Sequence, residues 1–300
     1  MKVWRLLLLA LVATALAVGI AACGDDEEET GGGGETAAET QPKAEAPEGS
    51  SIARIQEKGE ITIGVKYDVP PFGFKNPQNN QVEGFDVDLG RRIAEHLGVE
   101  PKFIEAISDN RIPFLQDGTA DLILSTMTIT AERDQEIDFS EPYFIARGRI
   151  LVPQGSDIKG VGDLAGKKVC TALGSTYEET LKKEAPKADL RLVDSYSECL
   201  ELVQNEAVDA VSTDDVILTG MIIQDDTLEL VEAEPLTTEP YGAGIKDGDK
   251  DLKAAVDTVI SEWKQGGGWA ETYQKWVGQY TNEEQEPPTM TLEEALELSK

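Results

Sequence analysis

Histidine and cysteine are nearly missing from this sequence. One histidine, His96, and three cysteines, Cys23, Cys170 and Cys199, occur in 300 residues. A Ser-His-Asp or Cys-His triad has a single imidazole to draw on, and a zinc site would have to be built almost without histidine. No metal or other cofactor is expected. Positive charge is scarce as well: 27 Lys plus Arg stand against 57 Asp plus Glu, a formal net charge of −30. A duplex binder must neutralise phosphates with a basic face, so nucleic acid is excluded as a partner. What is present is enough to fold. Hydrophobic residues make up 40%, and the length suits one large domain or two ordinary ones with a full core.

The two ends read differently from the middle. Met1-Lys2-Val3-Trp4-Arg5 carries two positive charges, and residues 6–22 are an almost unbroken apolar run, the pattern of a secretory signal peptide over 1–22. A membrane span of about 20 apolar residues fits only marginally and leaves Ile20-Ala21-Ala22-Cys23 unexplained. That tetrapeptide resembles a bacterial lipobox, which implies cleavage before Cys23, a lipid on its sulfur, and an extracytoplasmic protein anchored to the cell membrane, on its outer face or in a periplasm. Residues 24–50 hold nine acids, one Lys and four consecutive glycines, with no aromatic residue, Val or Ile, so residues 23–50 are expected to be a lipidated Cys and a disordered acidic linker. Residues 281–300 are an acidic tail in which Pro287-Pro288 stops any preceding helix and Thr291-Leu292-Glu293-Glu294 reads as a capping box. The short helix it opens either docks or hangs free. Formal charge is +2 over 1–23, −8 over 24–50 and −5 over 281–300, which leaves −19 on 51–280.

From Ile52 onward, strand and helix signals alternate. Ile61-Thr62-Ile63-Gly64-Val65 predicts a strand opening into a proline-rich loop, and Phe85–Leu97 a helix ended by Gly98. Further strands are expected over 121–127, 149–152, 167–171, 207–212 and 227–231, with helices after Gly174, over 196–203 and over 250–264. This alternation means an α/β fold with mostly parallel sheets.

Gly84-Phe85-Asp86-Val87-Asp88-Leu89 resembles the signature of the bacterial extracellular solute-binding proteins, family 3, that serve amino-acid ABC transporters. Asp121-Leu122-Ile123, then Thr128-Ile129-Thr130-Ala131-Glu132-Arg133 and Ile137-Asp138-Phe139-Ser140, match the next block in order. Trp269 through Tyr273-Gln274-Lys275-Trp276 resembles the C-terminal helix. The resemblance runs from 52 to 278. It implies the two-lobed, type II periplasmic-binding-protein-like fold: lobe one over 51–146 plus 246–280, and lobe two over 147–245, with hinge crossings near 147–151 and 241–245.

Carried over residue by residue, the resemblance assigns Arg133 to a ligand α-carboxylate, a role suited to a fork of parallel donors. Ser125, Thr126 and Thr128 follow a strand end, where open α/β sheets place ligands, and would offer a carbonyl and hydroxyls. Gly174-Ser175-Thr176-Tyr177-Glu178 opens a helix, so Ser175 or Thr176 would meet the same carboxylate; Ser175 with Glu178 also reads as a capping box. Asp214 matches the family's aspartate for the ligand ammonium, with Asp215 its one-residue-off competitor. Lys66, Ser108 and Arg111 resemble the glutamate/aspartate-binding branch, where they would face a distal carboxylate. The neutral-amide branch tends to carry an acidic residue at the Lys66 position and an aromatic at the Ser108 position. Tyr67, Phe72 and Phe74 border the mouth, core packing being the expected work of two of them.

With Cys23 set aside, Cys170 and Cys199 form an even pair outside the cytoplasm and read as a disulfide, closing a loop of about 30 residues worth about 3 kcal/mol; two separate buried thiols are the alternative. The function implied is a monomeric, lipid-anchored receptor that closes on an amino acid, glutamate or aspartate, and presents it to ABC transporter permease subunits without covalent chemistry. Glutamine, asparagine or another polar amino acid as ligand, a dehydratase-like enzyme and a sensor receptor remain as alternatives.

Overall fold

A computed structural model describes residues 46–281 and 284–300. The signal peptide, Cys23 and most of the linker lie outside the described residues. The strands run in order β1 (Glu60–Val65), β2 (Asp68–Val69), β3 (Gly73–Lys75), β4 (Val82–Glu83), β5 (Glu100–Glu105), β6 (Leu122–Ile123), β7 (Ile137–Phe139), β8 (Phe144–Pro153), β9 (Lys168–Ala172), β10 (Asp189–Val193), β11 (Ala210–Asp214), β12 (Leu228–Leu230), β13 (Thr238–Tyr241) and β14 (Gly244–Lys246). They form two main sheets, ordered β5-β1-β6-β14-β7 and β10-β9-β11-β8-β12 with β13 paired to β8, and a small β2-β3-β4 sheet. Pairing is parallel around β1 and β9 and antiparallel among β7, β14 and β6 and among β8, β11, β12 and β13. The antiparallel members gather around the strands that pass between lobes.

The helices are α1 (Ser51–Lys58), α2 (Phe85–Leu97), α3 (Arg111–Asp117), α4 (Thr176–Glu184), α5 (Tyr196–Gln204), α6 (Asp215–Gln224), α7 (Lys250–Gln265), α8 (Gly268–Tyr273), α9 (Gln279–Thr281) and α10 (Leu292–Glu297). α2 is amphipathic, burying Leu89, Ile93 and Leu97, and Gly98 caps it at φ 71°. Its first residue, Phe85, packs with Phe72 and Phe144 at centroid distances of 5.1 and 5.3 Å. Phe72 is thus core, Phe74 rests edge-on against Trp276, and the Tyr67 hydroxyl donates to the Phe103 carbonyl.

Two expected elements differ from the structure for local reasons. The strand expected over 121–127 ends at Ile123, because the carbonyls of Ser125 and Thr126 turn away to accept from Arg111. The strand expected over 207–212 lies at Ala210–Asp214, where Val211 to Asp214 pair with Leu151 back to Gly148. Residues 144–147 and 238–241 pair antiparallel between β8 and β13, and β14 joins β6 and β7 within the first sheet.

Cys170 and Cys199 are bonded, linking β9 to α5 across a separation of 29 residues. The C-terminal helix docks. Thr291 and Glu294 form the capping box, Ala295 is fully buried, and Met290, Leu292 and Leu296 pack on the lobe-one cluster that contains Ile129, Ile137 and Phe139. The Leu292 N–H donates to Glu141 and the Ala131 N–H to Ser299 Oγ. Ala295→Asp places an unpaired carboxyl in this contact and is expected to cost about 1–3 kcal/mol in urea unfolding. An unchanged midpoint would mean that α10 does not rest on the lobe.

Candidate functional site

The turn after β6, the β9–α4 junction and the end of β11 converge on a tight cavity of about 10 Å³, at the carboxyl ends of strands where open sheets hold ligands. Arg111 opens α3 after the turn Ser108–Asn110 and is 3% exposed. Its Nε donates to the Ser108 carbonyl, Nη1 to those of Ser125 and Thr126, and Nη2 crosses to the Gly174 carbonyl at 3.2 Å. Arg133 donates through Nη1 to the Thr128 carbonyl at 2.8 Å and through Nη2 to the same Gly174 carbonyl at 3.0 Å. Two guanidinium groups of lobe one therefore share one carbonyl of lobe two. Gly174 sits at φ 73°, and a Cβ there would lie 2.6 Å from Asp109 Cα, so only glycine lets this carbonyl come so close.

Lys66, immediately after β1, is 1% exposed and donates to Ser108 Oγ at 2.8 Å. Burial first, then the like charge of Arg111, lowers its pKa to about 7, against the pull of Asp68 and Asp214. Burial and then Arg133 push Arg111 down, and burial pushes Arg133 down while Glu239 opposes it. Asp214 stands well above the usual carboxylate range through burial and the neighbouring Glu239 carboxylate; it accepts from the Tyr177 hydroxyl at 2.8 Å.

Ser108, Arg111, Thr126, Thr128, Arg133, Ser175, Thr176 and Asp214 all reach the cavity wall, and Lys66 stands one hydrogen bond behind it. Asp215 does not: its carboxylate accepts from the Arg147 and Val216 N–H groups instead. Ser125 contributes its carbonyl to Arg111, while its hydroxyl turns back to the Ala106 carbonyl. Ser175 precedes α4 without capping it. Its Oγ donates to the Ala172 carbonyl and Glu178 pairs with Lys182, so the capping box expected there is absent. Thr126 takes φ 44°, a region β-branched residues rarely adopt. Buried Asp86 holds it there by accepting from its N–H at 2.9 Å, together with the Tyr143 hydroxyl at 2.8 Å. Burial raises Asp86 to about 7, against those two donors.

Sequence reasoning missed three residues. Tyr177 and Tyr196 line the cavity at the starts of α4 and α5; both follow strand ends, which was the available signal. Glu239 lies on β13, is 3% exposed, and accepts from Thr128 Oγ1 of lobe one at 2.6 Å and from Thr176 Oγ1 of lobe two at 3.0 Å. Nothing in a four-residue crossing strand marked it. Among the described residues, no group of three or more His, Cys, Asp or Glu is placed to hold a metal ion. No described helix is long and apolar enough to cross a membrane. The arrangement offers charge-assisted donors to anions and one carboxylate to a cation.

Residues 61–279 match the family of bacterial extracellular solute-binding proteins, family 3. The ABC transporter glutamine-binding protein GlnH of Bacillus subtilis is 38% identical over 280 residues, covering 92% of this chain and 97% of that protein. The glutamate-binding protein GluB of Corynebacterium glutamicum is 32% identical over 270 residues, covering 85% and 84%. Among solved structures, an ancestral arginine-binding protein bound to glutamine superposes with a TM-score of 0.70 at 38% identity, covering 73% of this chain and 98% of its own.

Glu239 is the acceptor on which hydroxyls of both lobes meet. Glu239→Ala is expected to cost about 1–3 kcal/mol for the partners left unsatisfied and to raise the radius of gyration in X-ray scattering. A variant unchanged in both would show that the shared acceptor holds nothing together.

Proposed function

Because this chain belongs to the bacterial extracellular solute-binding proteins of family 3, we propose that its cleft closes on an acidic amino acid, glutamate or aspartate, for delivery to an ABC transporter permease. The carrying observation is the charge around the cavity. Lys66, Arg111 and Arg133 are buried beside the cavity among the acids Asp214, Glu239 and Asp86. Burial and the neighbouring Arg111 disfavour the Lys66 ammonium, and a distal ligand carboxylate beside Lys66 and Ser108 would restore its charge.

Arg133 holds the α-carboxylate, with Thr128, Thr126 and the hydroxyl of Ser175 or Thr176 beside it, and Asp214 takes the ammonium. Lys66 and Ser108 face the distal carboxylate. Arg111, whose donors go to four carbonyls, supplies charge rather than a direct bond. Ligand contacts from both lobes favour the closed form. The proposal includes a lipid on Cys23 and no covalent chemistry on the ligand, in keeping with relatives named as binding proteins.

Glutamine is the second reading, favoured by the 38% identity to a glutamine-binding protein and by the lowered pKa of Lys66, since a neutral amine suits an amide. Calorimetric titration across pH separates them. With Lys66 at about 7 when free and raised by a bound carboxylate, glutamate binding takes up a proton above that pH. Its Kd should rise up to about tenfold per pH unit above 7, while the Kd for glutamine stays nearly flat. Tight glutamine binding, with glutamate weak at every pH from 6 to 9, would overturn the acidic-ligand reading and leave the amide one.

A further inference from the structure

We propose that the segment from Asp68 to Phe72 is a closure latch, seated on α5 and α6 of lobe two outside the ligand cavity, and that Asp68 and Gly220 are the residues that let it seat. The inference rests on the reading of the cleft as a ligand site that closes. Asp68 Oδ2 accepts from the Ser197 N–H, in the first turn of α5, at 3.1 Å. There the free N–H groups and the positive end of the helix dipole favour a carboxylate. Two residues on, the Pro70 carbonyl lies against α6 at Gly220. A Cβ on Gly220 would stand 1.7 Å from Pro70 O and 2.9 Å from Pro70 C, distances no folded contact tolerates. Closed lobes therefore require glycine at this helix-interior position, where alanine is otherwise the better residue.

The latch is rooted in lobe one, because Phe72 is fully buried, with its ring 4.8 Å from Phe144. It is also joined to the ligand site at both ends. Lys66, behind the cavity wall, precedes Asp68 by two residues. On the other lobe, α5 begins with the cavity residue Tyr196 immediately before Ser197, and α6 follows cavity residue Asp214. The disulfide ties α5 at Cys199 to β9, whose end leads to Gly174. Ligand contact and latch contact thus fall on the same pair of helices, so the seated latch adds to the closed state whatever the ligand's side chain is.

The test uses the full-length chain with glutamate and glutamine as probes. Gly220→Ala is expected to weaken the better ligand at least about tenfold, because only the closed fraction binds fully. At saturating ligand its radius of gyration should stay above that of the wild type, while its ligand-free Tm stays the same or rises. That split separates blocked closure from damage to the fold. Asp68→Asn should weaken both ligands equally, by about three- to tenfold; an effect confined to glutamate would mean that Asp68 acts only through the charge on Lys66 and would overturn its part in the latch. Wild-type affinity and wild-type compaction in Gly220→Ala overturn the proposal outright. Should Gly220→Ala lose ligand-free stability, Asp68→Asn decides alone, with unchanged affinity as the overturning result. A wild-type chain that binds none of the common amino acids refutes the ligand-site reading, and the latch falls with it.

Discussion

Three cations buried within a few hydrogen bonds of one another are the constraint on which the rest of this structure depends. Lys66 reaches Ser108, Arg111 takes the Ser108 carbonyl, and Arg111 and Arg133 meet on the Gly174 carbonyl. Like charges at such range disfavour one another, and burial removes the water that would screen them. Oriented carbonyl dipoles and the neighbouring acids Asp214, Glu239, Asp68 and Asp86 offset that penalty. To present the carbonyls of Ser125, Thr126 and Thr128, the chain must leave the first sheet directly after Ile123 and turn through Thr126 at φ 44°. Asp86 is placed at the start of α2 to hold that turn. The short β6 and the buried Asp86 are therefore consequences of the cationic site rather than independent features.

Much of this could be read from the residues in order. The alternation of strand and helix, the Gly98 cap and the capping box at Thr291 follow from local chemistry, and the pairing of Cys170 with Cys199 from the cysteine count outside the cytoplasm; the structure shows each of them. The strand ends could not be read, because what stops β6 is an arginine more than ten residues earlier in sequence. Ser175 shows the opposite limit. Its capping motif is intact in sequence, yet the Ala172 carbonyl takes the hydroxyl. Glu239 was invisible for a third reason. A charged residue in a short crossing strand reads as exposed, and only the meeting of Thr128 with Thr176 makes it buried.

Glycines at the cavity and glycines outside it answer different close approaches. Gly174 and Gly220 both stand where a Cβ would collide with the opposite lobe, at 2.6 Å and 1.7 Å, but they serve different contacts. Gly174 brings a carbonyl to two arginines inside the cavity. Gly220 brings a helix to a loop outside it. A glycine in the interior of α6 carries a cost in helix propensity, and nothing within α6 explains it; the approach of Pro70 does.

An acidic exterior and a cationic cleft act over different distances. The 51–280 segment carries −19, a field that repels an anion at long range but is screened beyond roughly 8 Å at physiological salt. Inside the closed cleft, screening is lost and the nearest charges dominate. There the neighbouring titratable groups are Lys66, Arg111 and Arg133, opposed by Asp214, Glu239 and Asp86. On the function proposed above, association and discrimination would be divided: the surface would govern how often an anion arrives, and the charge on Lys66 which ligand the closed lobes retain.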